Sequence, residues 1–293
     1  MPGIFSKPPI EALPPALLPE TIRADMLRLD MVHPQVSGNK WYKLKHNIAH
    51  AEQQGIRQLL SFGGMHSNHL HALAAAGSLL GVKTIGIVRG YADQPLSQTM
   101  QECQQLGMEL VLVDKKTYRR RYDPRWLDEL AAQYQAIVIP EGGNNSFGQK
   151  GCEEIADFCS GYDEIWLMVG SGATYSGMSA ALSCDQTLVG VMSLKGVDEL
   201  KSELLANTSG HGEYRIIDDA HWGGFAKCPP DLVSFILRCD KLGLPLDPVY
   251  TAKLVYAFCE AAKGGELDAR KRYLLIHTGG LQGRAGIKEL QAL

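Results

Sequence analysis

Residues 58–88 read QLLSFGGMHSNHLHALAAAGSLLGVKTIGIV, and their pattern sets the fold class. Gln58 to Phe62 is an apolar run of strand length, Gly63-Gly64 punctuates it as a turn, and Ser67 to Leu80 is an alanine-rich segment of helix length. Thr84 to Val88 is a second apolar run. Strand, loop, helix and strand in that order make one β-loop-α unit feeding a parallel neighbour.

The same alternation extends in both directions. Upstream, Leu27 to Val32 can form a short strand, and Trp41, Leu44, Ile48 and Ala51 repeat with helical period from Lys40 to Gln54, ending at Gly55. Downstream come a helix around Ser97 to Leu106, the strand Leu110 to Val113, a helix over Pro124 to Tyr134 and the strand Ala136 to Ile139. A second series follows: a helix from Gly148 to Phe158, the strand Glu164 to Val169, a glycine-rich turn, a helix to Leu182 and the strand Thr187 to Met192. Further helices are expected over 195–206 and 230–243, and Tyr273 to Ile276 reads as the last strand. The expected fold is α/β, with two doubly wound parallel-sheet lobes meeting in a cleft, since open α/β sheets bind ligands beyond the carboxyl ends of their strands. The proline-rich residues 1–22 read as an extended surface arm or dimer-packing segment.

Composition narrows the function classes. Of 293 residues, 45% are hydrophobic and 21% charged, with a formal net charge of -3, so a sizeable core is expected and no footprint for nucleic acid or an anionic membrane. The one dense basic cluster, Arg119, Arg120, Arg121 and Arg125, lies among Asp114, Asp123 and Asp128 and reads as a solvated loop or helix start. Seven cysteines without a C-x-x-C pair read as buried reduced thiols of a cytoplasmic protein. Neither an export signal nor a membrane span is expected.

Several motifs follow strands, where chemistry is expected. Gly170-Ser171-Gly172-Ala173-Thr174 joins an apolar strand to a helix, and small residues there let backbone N–H groups converge on an anion such as phosphate. It lacks the P-loop lysine and does not match G-x-G-x-x-G; a mere tight connection is the plain alternative. Lys40, after Ser37-Gly38-Asn39, opens a helix; it is either a surface amine or an amine aimed inward for imine chemistry. Ser67-Asn68-His69 opens another helix, where Ser67 can serve simply as an N-cap. His66, His69 and His71 lack the spacing and further ligands of a zinc site.

Taken together and in order, Gly38-Asn39-Lys40, Gly63-Gly64 through Ser67-Asn68, Glu141-Gly142-Gly143, Gly170 to Thr174, Leu246-Asp247-Pro248-Val249-Tyr250 and His277-Thr278-Gly279-Gly280 resemble the 1-aminocyclopropane-1-carboxylate deaminase and D-cysteine desulfhydrase family. That family has the tryptophan-synthase-β-like fold, type II among pyridoxal-phosphate enzymes. The resemblance runs from about residue 23 to the end. It implies pyridoxal 5'-phosphate as cofactor, a homodimer, a large domain of residues 1–42 and 146–293, and a small domain of 43–145. It also implies Lys40 as the Schiff-base lysine, Lys43 and Gly170 to Thr174 on the phosphate, and Asn68 on the ring phenolate oxygen. Ser67 and His69 would border the substrate carboxylate, and Tyr250 would face the substrate side chain. Thr278 would offer its hydroxyl to the pyridine nitrogen.

Two departures bear on the substrate. Where the cyclopropane deaminases carry a glutamate after the tyrosine, this chain has Thr251, and where a second active-site tyrosine would fall it has Phe225. Both disfavour cyclopropane ring opening to 2-oxobutanoate and ammonia, and favour β-elimination of D-cysteine or a related small D-amino acid to pyruvate, ammonia and sulfide. The rival readings are a hydrolase with Ser67 as nucleophile, which lacks G-x-S-x-G, and a non-catalytic protein that binds the cofactor or another phosphate ligand.

Overall fold

A computed structural model describes residues 4–91, 93–208 and 210–291. The short apolar runs become strands because β-branched and leucine side chains on both faces are covered. The chain forms two compact units, Met1–Asn39 with Cys152–Leu293, and Lys40–Gly151.

In chain order the elements begin with β1 (Ile10–Ala12), β2 (Ala24–Arg28) and α1 (Asn39–Gln53), then β3 (Gln58–Gly64), α2 (Asn68–Leu80) and β4 (Lys83–Arg89). Next come α3 (Gln98–Gln105), β5 (Glu109–Val113), α4 (Lys115–Tyr118), α5 (Pro124–Tyr134), β6 (Ile137–Ile139) and α6 (Ser146–Glu153). The rest comprises β7 (Glu164–Val169), α7 (Ala173–Ala181), β8 (Thr187–Met192), α8 (Asp198–Ala206), β9 (Glu213–Ile217), α9 (Pro230–Lys241), α10 (Thr251–Lys263) and β10 (Tyr273–His277).

The continuous unit holds a parallel four-stranded sheet in the order β5-β4-β3-β6. The chain steps from β3 through β4 to β5 and then returns to the other side of β3. That reversal makes a switch point at the carboxyl ends of β3 and β6, where an open α/β sheet leaves a crevice. Its core is Leu60, Phe62, Ile85, Ile87, Tyr118, Trp126 and Leu130. The other unit holds a six-stranded sheet, β1-β2-β10-β7-β8-β9, parallel except for β1. Here the switch point lies between β7 and β10, whose ends lead into Gly170 and Thr278. Trp166, Met168, Val189, Leu254, Phe258 and Leu275 fill its core. Each such fully buried side chain contributes ~1.5–3 kcal/mol relative to exposure. Among the described residues no helix is long and apolar enough to cross a membrane.

Five expectations change. Gly63 and Gly64 are not a turn but the last residues of β3, paired with Val88 and Arg89. The strand expected over 27–32 ends at Arg28, and a 3-10 turn, Leu29–Met31, follows; Asp30 there closes a double hydrogen bond with the Arg28 guanidinium at 2.9 and 2.7 Å. The proline-rich arm, whose first three residues lie outside the described ones, contains β1 and sends Leu13, Leu17 and Ile22 into the core. Arginine 121 is not simply solvated, since its Nε donates to Glu141 at 2.6 Å. Among the cysteines, none of them in a disulfide, Cys184 is exposed rather than buried.

Candidate active site

Unit by unit, the motifs converge on the two switch points. In the continuous unit, β3 carries one fully buried polar side chain, Ser61. Its hydroxyl donates to the carbonyl of Ile139 at 2.8 Å and lies 2.9 Å from His69 Nε2. A hydroxyl spent as donor must accept, so the imidazole proton sits on Nε2 and Nδ1 keeps its lone pair. Nδ1 is buried and has no hydrogen-bond partner among the described residues. Burial, then the positive charges of Lys43 and Lys40, push the His69 imidazole down to about 3, so it is neutral at physiological pH. Gly143, with φ +68, closes over this group. A Cβ there would lie 3.1 Å from Lys43 Cβ and 3.4 Å from His69 Cε1.

Ser67 is the N-cap of α2, its hydroxyl accepting from Leu70 N at 3.2 Å, and it packs so closely on Gly63 that any Cβ at 63 would overlap it. Asn68, half-buried, begins the helix beside it. His71 points elsewhere, its Nε2 3.2 Å from Glu102.

In the other unit, Gly170 follows β7 and Gly172 takes φ +86 as the N-cap of α7, where no side chain caps the helix. The first-turn N–H groups of a nine-residue helix are thereby left to an anion, beside Ser171 and Ala173. Thr174, buried in that first turn, accepts from Asn39 Nδ2 at 2.9 Å. Asn39 in turn donates its backbone N–H to Thr278 O at 3.2 Å. Gly38, with φ +70, makes this possible, because a Cβ there would overlap the Thr278 carbonyl. Lys40, half-buried, is the next residue of α1.

Tyr250 leads into α10, its ring 3.3 Å from where a Cβ on Gly170 would stand, and Phe225 packs edge-on to it with centroids 6.0 Å apart. Asp247 spends both carboxylate oxygens on the backbone N–H groups of Val249, Tyr250 and Thr251, at 3.0, 2.7 and 2.7 Å. Thr251 is fully buried, and its hydroxyl has no partner among the described residues.

Residues 25–279 match the profile of the pyridoxal-phosphate dependent enzymes. The chain belongs to that family. Relatives within it include a Thermotoga maritima protein provisionally named 1-aminocyclopropane-1-carboxylate deaminase, 30% identical over 87% of this chain and 88% of the relative. Another is a D-cysteine desulfhydrase of Yersinia enterocolitica, 28% identical over 86% and 85%. A solved structure of a 1-aminocyclopropane-1-carboxylate deaminase homologue superposes with a TM-score of 0.80 at 27% identity, covering 99% of this chain and 95% of that one. Pyridoxal phosphate is thus the cofactor, as the sequence implied, and the residues suit it. An uncapped helix start behind a left-handed glycine fits a phosphate, and the orphaned buried hydroxyl of Thr251 fits a polar ring atom.

Sequence reasoning did not find Ser61 or Asn39 as contributors. A lone buried serine inside a mostly apolar strand was a signal for the first.

Proposed function

We propose that this chain is a lyase that removes the β-substituent of a small amino acid, D-cysteine foremost, giving pyruvate, ammonia and sulfide. The observation that carries the reading is Thr251. It is a buried, uncharged hydroxyl without a partner among the described residues, and the neighbouring Asp247 is already committed to three backbone N–H groups.

When bound, pyridoxal phosphate supplies an electron sink for the bond electrons of the substrate α-carbon. The Lys40 amine would hold the cofactor and then take the α-proton. As that proton leaves, the Cβ–S bond breaks and the thiolate departs with its electron pair; one water then releases pyruvate and ammonia. The neutral His69, with its free Nδ1 lone pair and its Nε2–H fixed on Ser61, is a polar wall beside Lys40 and Lys43 that competes for neither proton. Tyr250 and Phe225 would receive the substrate side chain.

With Thr251 in place of a carboxylate, the Thr278 hydroxyl would leave the ring nitrogen largely unprotonated, whereas a carboxylate would keep it charged and stabilise a longer-lived carbanion. Elimination of thiolate needs little waiting charge. Ring opening of 1-aminocyclopropane-1-carboxylate, which has no α-proton to lose, needs more. The test is kinetics side by side on D-cysteine, L-cysteine, D-serine, β-chloro-D-alanine and the cyclopropane amino acid. D-Cysteine is expected to have the highest kcat/KM of the natural amino acids. A higher value for the cyclopropane substrate than for every β-eliminating one would overturn the proposal.

A further inference from the structure

Residues 221–227 form a turn that bears Phe225, and its backbone is unusual. Trp222 and Ala226 take φ +56, and Gly223 and Gly224 take +89 and +119. Two of the four are not glycine, so the turn needs support from outside itself. Gly224 N donates to His221 O at 3.1 Å and Lys227 N to Gly224 O at 3.2 Å. The same two carbonyls, of His221 and Gly224, each accept a 2.9 Å hydrogen bond from Nζ of Lys253.

Lys253 stands on the first turn of α10 and is fully buried. A buried lysine is costly and is kept where its charge has donors to place. Burial pulls the amine down from 10.5 to about 8, so it retains its proton at neutral pH. The outer side of the turn is held separately, by Trp222 packed edge-on against Tyr256 at 4.6 Å, again on α10. Between these two fixings Phe225 is left 53% exposed, with its ring edge-on to Tyr250.

We propose that Lys253 is a positioning residue for substrate specificity: by pinning the His221 and Gly224 carbonyls it sets Phe225 against Tyr250 and so fixes the wall that meets the substrate side chain. This rests on the reading that small amino acids bind beside Tyr250. The ammonium reaches neither substrate nor cofactor; it acts through the turn.

The experiment uses the holoenzyme and the variants Lys253→Met, Phe225→Ala and their double. It measures KM for D-cysteine and the Kd of unreactive D-alanine from the change in the cofactor spectrum. Lys253→Met should raise both constants by about tenfold, the effect of losing a charge-assisted hydrogen bond. Phe225→Ala should do the same, and the double variant should be no worse than either single one. Amide exchange at Gly224 and Lys227 should quicken in Lys253→Met, with the cofactor spectrum unchanged. Should that variant fail to fold, Gly224→Ala replaces it. A Cβ there meets nothing nearer than Lys195 Cβ at 3.7 Å, yet the φ of +119 strains the turn. It should show the same loss, again non-additive with Phe225→Ala. Additive losses, or faster exchange with KM and Kd unmoved, would overturn the role of Lys253. Absence of turnover of every β-eliminating substrate, with D-alanine binding still sensitive to Lys253, would instead sink the proposed reaction and leave the positioning role standing.

Discussion

His69 offers a measurement that depends on a single buried lone pair. In the folded chain its imidazole stays neutral down to about 3, against 6.5 for an unperturbed histidine. The depressed value means that the unfolded chain binds one proton more than the folded chain between those two limits. Stability contributed by the neutral ring is therefore present in full above 6.5 and is lost as the pH falls towards about 3. The slope is ~1.4 kcal/mol per pH unit, so acidification from pH 6 to pH 4 should remove ~2.7 kcal/mol through this residue alone. His69→Gln keeps a donor for Ser61 and removes the titration. Urea unfolding of both proteins from pH 7 to pH 4, taken as the difference between them, cancels the other titrating groups. In parallel, nitrogen NMR of histidine-labelled protein should show His69 protonated on Nε2 and bare on Nδ1 across this range. A flat difference curve, or a His69 ring that titrates near 6.5, would refute both the tautomer and the burial argument.

Two further outcomes concern the cofactor. Lys40→Ala should abolish the visible absorption of the bound cofactor, since only an amine can make the covalent attachment; an absorption spectrum decides, and persistence of the band would remove Lys40 from its role. In the loop after β7, Thr174→Ala deletes the acceptor of Asn39 Nδ2 and should weaken cofactor affinity by about fivefold, one neutral hydrogen bond. Gly172→Val should cost far more, because φ is +86 and even a Cβ there would come within 2.8 Å of Leu204 Cδ2. Equilibrium titration of the apoenzyme with cofactor distinguishes the two.

The sequence was most legible where one physical signal acted alone. Glu164–Val169 and Thr187–Met192 are apolar runs between turn residues, and both strands have the expected ends. So does Pro124–Tyr134, where Asp123 caps the helix and proline fixes its first turn. The missed elements carried conflicting signals. Thr251–Lys263 went unnoticed as a helix because Thr251 to Val255 are all buried, which leaves no polar stripe to mark a period. Ile10–Ala12 is flanked by prolines, which argue against a strand except at an edge, where it lies. At the candidate site, motif order was enough to identify the family and its cofactor. The bonds of Lys253 to His221 and Gly224 span chain distances no local pattern encodes.

The strand order of the six-stranded sheet also bears on how the protein is made. β2, the second strand, is flanked by β1 on one side and by β10, the tenth strand in chain order, on the other. Residues 40–151 are one uninterrupted segment with a sheet of their own, so they can fold while still emerging from the ribosome. The other sheet cannot close until Tyr273–His277 has cleared the exit tunnel. Until then β2 waits with one edge open. Truncated or stalled chains therefore expose that edge, which makes them natural clients for chaperones and proteases rather than partially active enzymes.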